Sequence, residues 1–155
     1  MKCETIKPVD MDSLSAVSCR QGAGCKQQKS GFQPTRCLVV DDDFTIIEYV
    51  VQLLELLGFL RVETAQGQPD VMNKLTAGSY ELLITDLEMP DMNGYHLTQT
   101  VKQDAPDTKT IIMTGRHKAY CRAMMASWWV DGWLFKPFKL KELRSMLSLL
   151  GLLKT

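Results

Sequence analysis

The chain has 155 residues, enough for one well-buried domain and too few for two ordinary ones, and 45% of them are hydrophobic. Its 18 basic and 18 acidic residues cancel, so no basic excess points to nucleic acid and no polybasic arm to a membrane surface. Apolar stretches are broken by Glu48, Gln52 and Glu55, and residues 1–20 lack the apolar core of a signal peptide. The expected compartment is the cytoplasm, with no membrane insertion and no direct nucleic-acid binding.

Residues 1–34 read as a flexible N-terminal extension, rich in Gln, Ser, Gly and Lys, with single apolar residues at no period. The five cysteines stand at 3, 19, 25, 37 and 121, an odd count whose spacings match no zinc signature. Cys37 is expected in the core, and Cys3, Cys19 and Cys25 as unpaired thiols.

From residue 35 onward, strands and helices alternate. Cys37-Leu38-Val39-Val40 is a buried strand run that ends at Asp41-Asp42. Ile47, Val50, Val51, Leu54 and Leu57 predict a helix over 44–57 with Gly58 as its C-cap, followed by a weaker strand over 61–64. Pro69 opens a short helix to about residue 77. Leu82-Leu83-Ile84-Thr85 leads to Asp86, and Leu97 and Val101 mark a helix that stops near Pro106. Ile111-Ile112-Met113 leads to Thr114, and a fourth helix spans 119–126. Trp133-Leu134-Phe135 leads to Lys136, and Leu140, Leu143, Leu147 and Leu150 stripe a last helix, leaving no room for an output domain after it.

Helices between the strands predict a parallel sheet, and ligands gather beyond the carboxyl ends of such strands. Asp41, Asp42, Asp86, Thr114 and Lys136 would then meet in one crevice. Neighbouring carboxylates repel, and a hard divalent cation such as Mg²⁺ relieves them with carboxylate, water and phosphate oxygens as its ligands. One carboxylate can act as a nucleophile on phosphorus, while an ammonium and a hydroxyl neutralise the phosphoryl oxygens. Gly115 leaves room beside that group.

The segments Leu38-Val39-Val40-Asp41-Asp42-Asp43, Asp86-Leu87-Glu88-Met89-Pro90-Asp91-Met92-Asn93-Gly94, Thr114-Gly115 and Lys136-Pro137-Phe138 carry a resemblance. Residues 36–150 resemble the receiver domain of two-component response regulators, of the single-domain, chemotaxis-regulator-like kind. The resemblance implies a receiver domain over 35–155 with a flavodoxin-like (βα)5 fold, a doubly wound parallel sheet of order 2-1-3-4-5. It also implies a phosphoacceptor switch that assists its own phosphorylation and dephosphorylation without being a conventional enzyme. Asp86 would take a phosphoryl group from a sensor histidine kinase or a histidine phosphotransfer protein, then signal by conformational change or pass the group on. Mg²⁺ would be bound by Asp41, Asp42, Asp86 and the Glu88 backbone carbonyl, with Thr114 and Lys136 on the phosphoryl oxygens. Lys136-Pro137 would be a cis peptide. Thr114 and Trp133 would form the switch, and a downstream protein would dock on the face of helix 4, strand 5 and helix 5; a homodimer is a further option.

Three positions depart from the family pattern. Trp133 stands where a Tyr or Phe is usual, and is read as a switch ring or as a buried strand aromatic. Trp129 replaces a usual glycine, so the loop is expected to differ and Trp128 and Trp129 to offer an apolar partner surface, with Leu149, Leu152 and Leu153 also off the main helical stripe. Glu88 and Arg116 either pair across the site entrance or stand as solvated charges. The alternative reading is a haloacid-dehalogenase-type phosphatase using Asp41 and Asp43 of Asp41-Asp42-Asp43-Phe44-Thr45. It lacks further acidic residues after Lys136, where only Glu142 remains.

Overall fold

The structure, a computed structural model, describes residues 35–153, so the expectation of a flexible extension over 1–34 lies outside the described residues. Buried runs of Val, Leu and Ile form the inner strands, because parallel strands covered on both faces have no solvent side to alternate with. The elements are β1 (Arg36–Val40), α1 (Phe44–Leu56), β2 (Arg61–Ala65), α2 (Gln68–Ala77), β3 (Leu82–Asp86), α3 (Gly94–Asp104), β4 (Lys109–Thr114), α4 (Lys118–Met125), β5 (Gly132–Phe135) and α5 (Leu140–Leu149). The five strands are all parallel, in the order β2-β1-β3-β4-β5.

The period of two sorts side chains between the faces. Cys37 and Val39 join Leu82, Ile84, Ile111 and Leu134 under α1 and α5, where Val50, Leu54, Leu143 and Leu147 cover them. Leu38, Val40 and Leu83 point the other way, toward Val71 of α2 and Leu97 and Val101 of α3. On that same side, Ile112 and Trp133 pack with Cys121 of α4. β2 is one of the two edge strands and, unlike β5 at the other edge, is covered only in part, which explains its weaker pattern.

The helix ends follow local hydrogen-bonding chemistry. Asp43 caps α1 by accepting from Thr45 N at 2.8 Å. Leu57 is the C-cap of that helix, one residue before the predicted Gly58, which follows it at φ +90° in the left-handed region that glycine enters without strain. Asn93 caps α3 by accepting from Tyr95 N at 2.9 Å. The first residue of α3, Gly94, lies so close to β3 that a Cβ would overlap the Asp86 carbonyl oxygen.

Candidate phosphoryl site

The register brings the strand ends together. Val40 is level with Thr85, Asp86 with Met113 and Thr114 with Phe135, so Asp41, Asp86, Thr114 and Lys136 all emerge at one rim. That rim includes the junction of β1 and β3, where the strand order reverses and a crevice opens.

Lys136 reaches across this crevice. Its Nζ donates to Asp86 Oδ1 at 2.6 Å and to Asp41 Oδ2 at 2.9 Å. The second oxygen of each carboxylate is held by backbone: Asp41 Oδ1 accepts from Asp43 N at 2.9 Å, and Asp86 Oδ2 from Glu88 N at 2.8 Å. Asp41 is 1% exposed, and burial pushes its carboxyl up against the opposing pull of the Asp43 amide and the Lys136 ammonium. Burial alone would pull the Lys136 ammonium down, but its hydrogen bonds to Asp86 and Asp41 outweigh that and hold it above the ordinary lysine value. Thr114 is buried, and its Oγ1 accepts from Arg116 N at 2.9 Å, which leaves the hydroxyl proton available to a ligand. The position of a Cβ on Gly115 is open space, as expected for the room beside the phosphoryl group.

The donor set suits a hard cation. Among the described residues, no three or more His, Cys, Asp or Glu side chains are gathered as a metal cage. Mg²⁺ does not need one, since it usually binds one or two carboxylates and keeps several waters. Asp41 and Asp86 supply buried carboxylates at the crevice, and Asp42 stands exposed beside them. The Glu88 carbonyl occupies the non-hydrogen-bonded position of a bridge to Asn93, and among the described residues no hydrogen bond reaches it. All of these ligands are oxygens, and the residues fit the ion.

The other predicted positions divide. Glu88 and Arg116 do pair, Nε to Oε2 at 2.8 Å, beside the site. Trp133 is 9% exposed and turned inward, and its Nε1 has no hydrogen-bond partner among the described residues. The two other tryptophans share the burial unequally: Trp129 packs onto the Trp133 cluster, while Trp128 is 63% exposed and lies over Trp129 with ring centroids 3.8 Å apart. Lys136–Pro137 is cis. Asp43, which the phosphatase reading would use in catalysis, is instead the cap of α1, and nothing supports that alternative.

Two site-building residues carried no assigned role in the sequence reading. Asp91 Oδ2 accepts from Gln68 N at 2.8 Å and ties the loop after β3 to the start of α2. Asn93, an Asn just before a helical run, carried the signal of a cap.

Residues 37–148 match the family model described as the response regulator receiver domain. The heme response regulator HssR of Staphylococcus haemolyticus is 32% identical over 108 residues, covering 70% of this chain and 47% of the relative. The DNA-binding transcriptional regulator NtrC of Azospirillum brasilense is 34% identical over 111 residues, covering 72% of this chain and 23% of its own length. The chain thus spans about half of the first of these curated relatives and about a quarter of the second. Among solved structures, response regulator TrrA of Thermotoga maritima in complex with Mg²⁺-BeF superposes with a TM-score of 0.66 at 30% identity, covering 75% of this chain and 98% of that one. Chemotaxis response regulator CheY4 of Vibrio cholerae gives 0.67 at 26% identity, covering 76% and 99%. With the family match running from the first strand into the last helix, and the same sheet recurring in these structures, the chain belongs to the response regulator receiver domains of two-component systems.

Proposed function

We propose that Asp86 is the phosphoacceptor of this receiver and that Asp41, Asp42, Asp86 and the Glu88 carbonyl hold Mg²⁺ during the transfer. The observation that carries the reading is the Lys136 ammonium lying between Asp41 and Asp86, within 2.9 Å of both, at the point where the strand order reverses. A nucleophilic carboxylate must face an electron-rich phosphoryl group, so neutralisation and positioning dominate the barrier. The Glu88 amide fixes one Asp86 oxygen and so orients the carboxylate for in-line attack. The bond between donor nitrogen and phosphorus breaks as the bond from Asp86 oxygen to phosphorus forms, and the imidazole leaves with a proton. Lys136 follows the charge onto a phosphoryl oxygen, and the Thr114 hydroxyl donates to another. Bound Mg²⁺ would supply further neutralisation of those oxygens.

The donor in this reading is a sensor histidine kinase or a histidine phosphotransfer protein in the cytoplasm, and the receiver is not a conventional enzyme. No described helix is long and apolar enough to cross a membrane. Output would run through Thr114 and Trp133 to the face of α4, β5 and α5, where a downstream protein docks. The Glu88–Arg116 pair would hinder the water that hydrolyses the acyl phosphate.

Acetyl phosphate with Mg²⁺ tests the acceptor: one base-labile phosphoryl group should appear on the full chain and vanish in Asp86→Asn. Undiminished labelling of that variant would overturn the assignment. Beryllofluoride with Mg²⁺ tests the switch through tryptophan fluorescence, whose change should be lost in Trp133→Phe and kept in Trp128→Phe. A signal that survives without Trp133 reduces that residue to a core aromatic.

A further inference from the structure

α1 and α5 leave an apolar face that nothing among the described residues covers. Leu56 is 73% exposed, Leu60 78% and Leu149 80%, although each is a large aliphatic side chain. Leu56, Leu57, Leu149 and Leu153 line one groove of about 820 Å³ across the two helices, together with Arg144.

The charges beside it are sorted by helix. α1 carries Glu48 and Glu55 and no base, the two glutamates standing two turns apart on one side. α5 carries Lys141 and Arg144, one turn apart, and its single acid, Glu142, accepts from the backbone N–H of Lys139 at 2.9 Å. Glu48, Glu55, Lys141 and Arg144 are all exposed, and none of them is in an ion pair among the described residues. α1 therefore presents exposed acids and α5 exposed bases on the two helices that carry these leucines, with no ion-pair partner for either set among the described residues.

This pattern selects an occupant. An anionic lipid surface would be drawn to α5 and repelled by α1, and an acidic peptide would meet the same conflict. A surface that offers leucines and both signs of charge in mirrored order satisfies all of it, and this face is itself such a surface. We propose that the α1–α5 face docks a second copy of the chain about a two-fold axis, with α1 of each copy on α5 of the other. In such an isologous contact every pairing occurs twice, so Glu55 meets Arg144 of the second copy and Glu48 meets its Lys141. The leucines supply the apolar centre, and the charges exclude the other two-fold arrangement, in which α1 faces α1 and like stripes meet.

Sedimentation velocity on the full chain, with no phosphoryl donor present, tests this without touching the assignment of Asp86. A reversible dimer should form in the micromolar range, and Leu56→Asp should weaken it by at least about tenfold. Trp128→Ala, on the far side of the sheet, should leave the dimer unchanged. Glu55→Arg and Arg144→Glu should each weaken self-association, because each places like charges in contact twice. Their equimolar mixture should recover a heterodimer, because both contacts are then between opposite charges. All of these positions are exposed, and thermal melts should report an intact fold. The proposal is overturned if the chain stays monomeric to about 100 µM, or if Leu56→Asp dimerises like the parent. It is equally overturned if the mixture associates no better than either variant alone, or if the face binds anionic vesicles while the chain remains monomeric.

Discussion

The rim of the sheet and the corner beneath α4 treat buried polar atoms in opposite ways. At the rim, Asp41, Asp86, Thr114 and Lys136 all have partners, and each carboxylate uses both oxygens. At the corner, Trp133 Nε1 is buried with none among the described residues. A saturated network resists rearrangement, whereas an unsatisfied donor costs the protein free energy in that conformation alone. The rim is thus held in one arrangement, and the corner has reason to change.

The contrast can be broken most severely at another saturated cluster, at the opposite end of the same strands. Lys102 of α3 is 5% exposed and pairs with Asp131 at 2.7 Å, while Asp131 also accepts from Thr110 N at 2.8 Å. Asp131→Ala would leave the ammonium buried and unpaired, and denaturant melts should show a loss of about 3–5 kcal/mol. The pH dependence follows from the same pair. Burial alone would raise the Asp131 carboxyl, but the Lys102 ammonium and the Thr110 amide outweigh it and hold it below the usual range. Its contribution is therefore complete above the unfolded-state value and is lost as the pH falls through the lowered folded one. An acid titration of stability should show this component in the parent and lack it in Asp131→Asn.

The corner should respond in the other direction. Trp133→Phe removes the unpaired N–H, whose burial costs about 1–3 kcal/mol, and also removes packing area that the smaller ring cannot refill. The two nearly offset, and the melt should stay within about 1 kcal/mol of the parent. A loss as large as that of Asp131→Ala would show that the ring is saturated after all.

The smallest effect on stability is expected at the site entrance. Glu88 and Arg116 are roughly half exposed, so Arg116→Ala should cost under about 1 kcal/mol. The decay of phosphorylated protein should nonetheless quicken in that variant, measured as the half-life of the labelled acyl phosphate. An unchanged half-life would leave the pair as solvated charges.

These contrasts also show what was legible beforehand. The inner strands could be read because burial on both faces writes itself as unbroken apolar runs, and the site because each run ends in a chemically distinctive residue. β2 was faint because this edge strand, unlike β5 at the other edge, is only partly covered. α2 begins at Gln68 and α4 at Lys118, one residue earlier than the pattern suggested. Gly67, at φ +76°, precedes the first, and His117 caps the second by accepting from Ala119 N at 3.3 Å. Lys102 and Asp131 were invisible as a pair, since each lies in a different element and neither stands in a pattern that announces a long-range partner. The unequal fates of Trp128 and Trp129 depend on the direction of one short loop, held by Thr110 Oγ1 donating to the Trp129 carbonyl, and adjacency in sequence gives no sign of it.

The reach of Lys136 across the crevice has a thermodynamic corollary. Its ammonium is a tethered cation already seated between the two carboxylates. A soluble cation that binds there must displace this charge, which then needs another anion to pair with. A phosphoryl group provides one. Occupancy by metal and occupancy by phosphoryl should therefore be positively linked, and linkage is reciprocal: whatever factor one gains from the other, the other gains in return. The lysine side chain is long enough to serve both arrangements, so the empty and loaded forms of the receiver would use one charge as counter-ion and as clamp in turn.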